Sequence, residues 1–201
     1  MKYPDDYIDK IICGDCLEVM KDIPNNSIDV IITDPPYKKE FEHLYEKMAI
    51  EAKRILRIGG SLLTLCGHYQ LARVLPDMAK HLKYRWIIKL DHPGAHARML
   101  MGIEVTWKPM LWLVNEKFSP SRNVVDSVIS GKRSKSNHPW EQDEDYARWG
   151  IEYLTDEEHI VLDPFVGSGT TCVACAKTNR HYIGIEKEEK YCEIARQRIG
   201  I

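Results

Sequence analysis

No apolar stretch in this 201-residue sequence approaches the ~20 residues that a membrane-spanning helix needs, which argues against any helical membrane span. Met1 to Lys10 carry charges and aromatic rings where a signal peptide would place an apolar core, so the expected location is the cytoplasm. An excess of positive charge is missing too. Lys and Arg number 28 against 30 Asp and Glu, a formal net charge of -2, so any contact with a polyanion must come from a local patch. Internal repeats and low-complexity tracts are absent, which sets aside solenoids and disordered tails. Cysteine is sparse at six, and a chain able to bury a normal core in a reducing compartment needs no disulfide staples. Two pairs, Cys13-x-x-Cys16 and Cys172-x-x-Cys175, have metal-like spacing. The first straddles a strand end and the second lies one turn apart inside a predicted helix. Small buried residues is therefore the preferred reading, and no metal is expected.

What is present is the balance of a soluble globular protein, 44% apolar and 29% charged, at a length suited to a single domain over residues 1–201. Short β-branched runs alternate with amphipathic stretches, the mark of a mostly parallel α/β sheet wound with helices on both faces. The expected parallel strands are Ile11 to Asp15, Asp29 to Asp34, Ser61 to Cys66, His159 to Asp163 and His181 to Glu186. Between them the expected helices are Leu17 to Asp22, Glu40 to Arg57, Gln70 to Leu82, Asp143 to Leu154, Thr170 to Lys177 and Lys187 to Arg198. In the second, Phe41, Leu44, Tyr45, Met48, Ala52, Ile55 and Leu56 recur at helical spacing, and Gly59-Gly60 is expected to end it. Arg85 to Leu90 and Met110 to Asn115 read as two further strands without a helical crossover, hence an antiparallel edge hairpin. Residues 116–137 are polar and read as a loop.

Two motifs carry chemistry. In His159-Ile-Val-Leu-Asp-Pro-Phe-Val-Gly-Ser-Gly-Thr-Thr an apolar strand runs into a glycine turn and opens a helix. Gly167 and Gly169 permit a tight turn and close approach to a ligand, and Glu186 closes the next strand, where an acid can hold the ribose hydroxyls of an adenosine cofactor. A dehydrogenase is disfavoured: Cys172 stands at the third glycine position, few residues follow Glu186, and Asp163-Pro164 puts a carboxylate where a pyrophosphate would sit. An anion there repels phosphate and suits an ammonium group. In Ile31-Ile-Thr-Asp-Pro-Pro-Tyr37 an apolar strand stops at an acid, two stiff prolines and an aromatic ring. Asp34 and the Pro35 carbonyl can both accept from an amino group, and Tyr37 offers a face for stacking, worth roughly 1–3 kcal/mol per base. An ordinary strand-ending turn is the bland alternative for this segment alone. Asp15, at the end of the first strand, adds a third acid on the same edge.

Together Asp163-Pro-Phe-Val-Gly-Ser-Gly-Thr-Thr and Asp34-Pro-Pro-Tyr resemble the cofactor and catalytic motifs of the amino-group DNA methyltransferases, and their order resembles the permuted β class of that family. Gly14-Asp15-Cys-Leu-Glu-Val-Met leading to Asp29-Val-Ile-Ile-Thr-Asp34 is similar to the family's opening, so the resemblance spans about Ile11 to Arg198. It implies a Rossmann-like methyltransferase sheet, S-adenosylmethionine as cofactor and DNA as partner, as in restriction-modification, with the chain a monomer or homodimer. Asp34, Pro35, Pro36 and Tyr37 would receive the target base. Asp163, Pro164, Phe165, Gly167, Ser168, Gly169 and Thr170 would line the cofactor, with Cys16, Asp34 and Lys187 also among its contacts, Glu186 would bind its ribose and Asp15 would meet its adenine amino group. His138-Pro139 is similar to the start of a further cofactor motif, although Trp140-Glu-Gln-Asp stands where the family usually continues with Lys-Pro.

The mechanism implied is direct attack by an exocyclic nitrogen of a flipped-out base on a sulfonium methyl group, with no covalent enzyme intermediate. Asp at position 34 tilts the choice to adenine N6, since the cytosine-N4 enzymes of the family more often carry Ser there. N4-cytosine methylation, an RNA or protein-glutamine methyltransferase, and a catalytically silent nucleic-acid-binding module are the competing readings. Candidates for phosphate contact are Arg98, Lys108, Lys132, Arg133 and Lys135, and His68, His92, His96 and His138 are the histidines expected nearest the cleft. The recognition segments, about 91–108 and 116–137, are short, so loose or very short sequence specificity is expected.

Overall fold

A computed structural model describes residues 1–91, 97–98, 102–118, 123–130 and 144–200, with 97–98 described by backbone alone. In chain order the strands are β1 (Lys10–Cys13), β2 (Ile28–Thr33), β3 (Leu56–Leu65), β4 (Lys83–Asp91), β5 (Ala97–Arg98), β6 (Glu104–Val105), β7 (Trp107–Val114), β8 (Ser127–Ile129), β9 (Ile160–Asp163) and β10 (His181–Glu186). The helices are α1 (Cys16–Lys21), α2 (His43–Ile55), α3 (Leu71–Ala79), α4 (Asp145–Leu154), α5 (Thr170–Lys177) and α6 (Glu189–Ile199).

Eight strands form one sheet in the order β1-β10-β9-β2-β3-β7-β4-β8, and β5 pairs with β6 separately. Its centre is apolar on both faces, as a covered parallel sheet requires. In β2, Ile31 enters the first of two cores and Val30 and Ile32 the second. The first core joins Met20 of α1, Met48 and Ala52 of α2 and Val74 and Met78 of α3. The second joins Trp149 and Ile151 of α4, Cys172 and Cys175 of α5 and Cys192 and Ala195 of α6. Burying each large aliphatic side chain of this kind contributes about 1.5–3 kcal/mol. The doubly wound expectation thus holds. Neighbouring β9 and β2 send their following helices to opposite sides, so the order reverses between them. Open α/β sheets bind ligands at such a switch point.

Several local expectations change. Helix α2 stops at Ile55, because Leu56 is already extended and begins β3, and a separate 3-10 turn at Lys39–Phe41 precedes it. Gly59 and Gly60 do not end the helix. They lie in β3, where the register against β2 slips between the pairs Ile28↔Leu56 and Val30↔Ser61. A Cβ at Gly60 would lie 2.9 Å from the Asp29 carbonyl oxygen, so the absence of a side chain lets the bulge close. The antiparallel pair β4 and β7 forms as expected, and β8, within the stretch read as a loop, adds a parallel strand outside β4. Among the described residues of this sheet, only β7 runs against its neighbours. No helix among the described residues is long and apolar enough to cross a membrane.

Candidate active site

Three strand ends meet at the switch point. Thr33, the last residue of β2, is buried, and its hydroxyl donates to Asp163 Oδ1 at 2.7 Å, tying the Asp-Pro-Pro-Tyr loop to the strand carrying the glycine turn. Asp34 follows half-buried, Pro35 is buried, and Pro36 and Tyr37 are half-buried, so the stiff loop emerges from the sheet with its acid at the rim. The Tyr37 hydroxyl donates to Asp34 Oδ1. Burial, and then Asp34 beside it, hold the Tyr37 phenol well above its ordinary pKa, so it stays a neutral donor. The exposed Tyr69 donates its hydroxyl to the Tyr37 carbonyl at 2.5 Å and fixes the loop from the β3 side.

Across the switch point, the Asp163 carboxylate is turned inward instead of facing an ammonium group. Its Oδ1 also accepts from the Phe165 N–H at 3.1 Å, and the Thr171 hydroxyl donates to the same carboxylate. Burial pushes its pKa up to about 6 against these donors. Gly167 has φ +51° and Gly169 φ +91°, so the turn uses the left-handed conformations that glycine adopts without strain. Ala195 of α6 lies 3.0 Å from where a Gly169 Cβ would be. The Ser168 hydroxyl is held by Arg198 at 2.8 Å, and Thr170 is buried at the start of α5. The Glu186 carboxylate accepts from the Gly167 N–H at 3.1 Å and the Glu188 N–H at 2.9 Å. It therefore braces the glycine turn while standing at the rim. Asp15 caps α1 through Oδ1 to the Leu17 N–H at 3.0 Å, and Lys187 Nζ lies 3.5 Å from its Oδ2. The pairing Cys13↔Glu186 brings Asp15 and Glu186 to the same edge. Cys16 is buried in the first core.

The two cysteine pairs with metal-like spacing lie apart: Cys16 is in one core and Cys172 and Cys175 are in the other. Cys13 instead lies near Cys192 and Glu189, with ligand atoms within 4.8 Å of one another. Both thiols donate to carbonyls, Cys13 to Lys187 at 3.8 Å and Cys192 to Glu186 at 3.4 Å.

Among the basic candidates, Lys108 reaches the Asp-Pro-Pro-Tyr loop. Its Nζ lies 3.4 Å from the Tyr37 hydroxyl and 5.0 Å from the centre of that ring. Arg98 is described for its backbone alone, in β5. Lys132, Arg133, Lys135 and His138, with His92 and His96, lie outside the described residues. His68 is engaged with the start of β7: its Nε2 donates to the Trp107 carbonyl at 2.8 Å, and its ring packs edge-on to Trp107 at 4.4 Å. Sequence reasoning missed Thr33, Tyr69 and Arg198. Thr33 sat inside the quoted motif, where strand alternation beside Asp34 could have placed it inward, whereas Tyr69 and Arg198 become visible only once the chain is folded.

A family model described as DNA methylase, for N6 and N4 methyltransferases, matches residues 101–197. The type II methyltransferase M.HinfI of Haemophilus influenzae is 28% identical, covering 96% of this chain and 69% of its own length. The solved M1.HpyAVI-SAM complex superposes with a TM-score of 0.81 at 27% identity, covering 96% of this chain and 99% of that one. The cytosine-N4-specific PvuII DNA methyltransferase shares the fold, with a TM-score of 0.82 at 17% identity over 94% of this chain and 85% of that one. Both motifs lie at the carboxyl edge of a sheet common to these enzymes, so in motif and fold the chain is similar to the amino-group DNA methyltransferases.

Proposed function

We propose that the chain transfers a methyl group from S-adenosylmethionine to the N6 amino group of adenine in DNA. The observation that carries this reading is the Thr33–Asp163 hydrogen bond, which joins a base-accepting loop to a cofactor-type glycine turn at the switch point. The edge fits the adenosyl group. Asp15 and Glu186 offer acceptors for an amino group and ribose hydroxyls, and the Glu186 carboxylate beside the glycine turn disfavours a pyrophosphate. S-adenosylmethionine, when bound, supplies an electrophilic methyl group.

In this reading the chain's own residues orient the nucleophile. A target base flipped from the stack, at a cost of a few kcal/mol, stacks on Tyr37. Asp34 and the Pro35 carbonyl accept from its amino group and favour pyramidal nitrogen, freeing the lone pair for in-line attack. Asp163 acts at one remove, holding the turn through Thr33, Thr171 and the Phe165 N–H. Arg98, Lys132, Arg133 and Lys135 would supply phosphate contacts from the recognition segments. The aspartate at position 34 favours adenine; cytosine N4 offers the same donors and is the second reading. Asp34→Ala should lower transfer of labelled methyl groups to plasmid DNA by at least a hundredfold while cofactor affinity changes less than about threefold. Retained transfer would refute the assigned role of Asp34.

A further inference from the structure

The acceptor that a base needs is already engaged in this fold. Tyr37 donates its hydroxyl to Asp34 Oδ1, and Lys108 Nζ sits 3.4 Å from that same hydroxyl, placed to donate to its oxygen. Lys108, Tyr37 and Asp34 thus form a directed chain, cation to phenol to carboxylate, in which each bond polarises the next. The ammonium group also stands 5.0 Å from the centre of the Tyr37 ring, within cation–π range and close to the surface on which a base would stack. Lys108 is half-buried at the start of β7, where the antiparallel strand brings its residues to the edge that carries the carboxyl ends of β2 and β3.

We propose that Lys108 is a positioning residue that latches Tyr37 onto Asp34 and keeps the base pocket closed until an amino group displaces the hydroxyl. The inference rests on the methyltransferase reading above and adds a gate to it. A base amino group and the Tyr37 hydroxyl compete for one carboxylate oxygen, and a base face competes with the ammonium group for the ring. Apparent affinity for DNA is then reduced by the fraction of molecules that are open. A base with no exocyclic amino group cannot replace the bond to Asp34, so the latch also discriminates against it.

The latch and a phosphate contact by the same lysine make opposite predictions. With the latch, Lys108→Met lowers the KM for plasmid DNA by roughly three- to tenfold, the range expected for losing one cation–π and hydrogen-bond contact. Lys108→Arg restores the wild-type KM, and the salt dependence of binding to a random-sequence duplex, read by fluorescence anisotropy, keeps its slope in both variants. In a Tyr37→Phe background, where the shared hydroxyl is gone and only the ring contact remains, Lys108→Met lowers KM by less than it does with Tyr37 in place. A raised KM with a salt slope smaller by about one would assign Lys108 to a phosphate and overturn the latch. An unchanged KM would overturn it as well. A second readout needs no turnover: in protein labelled at the tyrosine ring carbon that bears oxygen, the Tyr37 resonance, identified by its loss in Tyr37→Phe, shifts in Lys108→Met without DNA. A resonance that does not move contradicts the latch. Absence of methyl transfer by the unaltered protein contradicts the methyltransferase reading instead, and leaves this resonance to judge the contact.

Discussion

Asp163 shows how one side chain can weaken the fold for the sake of the site. It is 2% exposed, accepts from Thr33, Thr171 and the Phe165 N–H, and still has its pKa raised from 3.8 to about 6 because burial penalises the anion. Below pH ~4 the group is protonated whether the chain is folded or not. Between about 4 and 6 the folded protein holds a proton that the unfolded chain releases, so the contribution of Asp163 to stability falls as pH rises through that window. Above it the penalty is fully present, on the order of 2–3 kcal/mol for the quoted shift. Asp163→Asn should therefore melt at a higher temperature than the unaltered protein at pH 7.5, with the gap closing toward pH 4, and should bind cofactor more weakly. A variant that melts lower at pH 7.5 would contradict this.

At the scale of elements, two glycines are set by packing. Gly169 combines φ +91° with Ala195 Cβ and Cα 3.0 and 3.1 Å from the position of an added Cβ. Gly169→Ala should lose about 1–2 kcal/mol from the backbone alone, and more from pushing α6 off the turn, measured by denaturant unfolding. Gly150 lies inside α4, where alanine would normally gain about 1 kcal/mol of helix propensity. An added Cβ would fall 2.7 Å from Leu63 Cδ1 and 2.8 Å from Ile32 Cδ1, both fully buried, so overpacking of about 1–3 kcal/mol should win and Gly150→Ala should destabilise. The alternation of β-branched runs and helical stretches made β2, β9, β10 and α5 legible within a residue or so, because their patterns are imposed by burial on both sides. β8 was not legible: of Ser127, Val128 and Ile129 only the valine is buried, and pairing with β4, which no local pattern encodes, makes it a strand. The helix end after Ile55 was misplaced because a Gly-Gly pair serves equally as a helix stop or a strand bulge. Asp34-Pro-Pro-Tyr and the glycine turn were readable as chemistry, whereas their junction through Thr33 and the cover supplied by Lys108 depend on contacts between segments distant in sequence.

For the whole molecule, a formal net charge of -2 leaves no long-range pull toward DNA, so binding must come from a few local cations. Log affinity for a random-sequence duplex should fall with log salt at a slope no steeper than about -4, as expected for four or fewer phosphate contacts on a chain of this charge. A slope near -8 would mean a larger basic surface than the proposed residues supply. The short recognition segments lead to the expectation that single-base methylation maps of plasmid DNA will show a very short or loose motif, and a long strict motif would contradict that. The central claim is tested most directly by digesting plasmid DNA from a methylation-free host after incubation with the protein and S-adenosylmethionine bearing a deuterated methyl group, then weighing the nucleosides by mass spectrometry. The account predicts deuterated N6-methyldeoxyadenosine, absent when Asp34 is alanine; deuterated N4-methyldeoxycytidine would contradict the choice of base, and no labelled nucleoside at all would contradict the function.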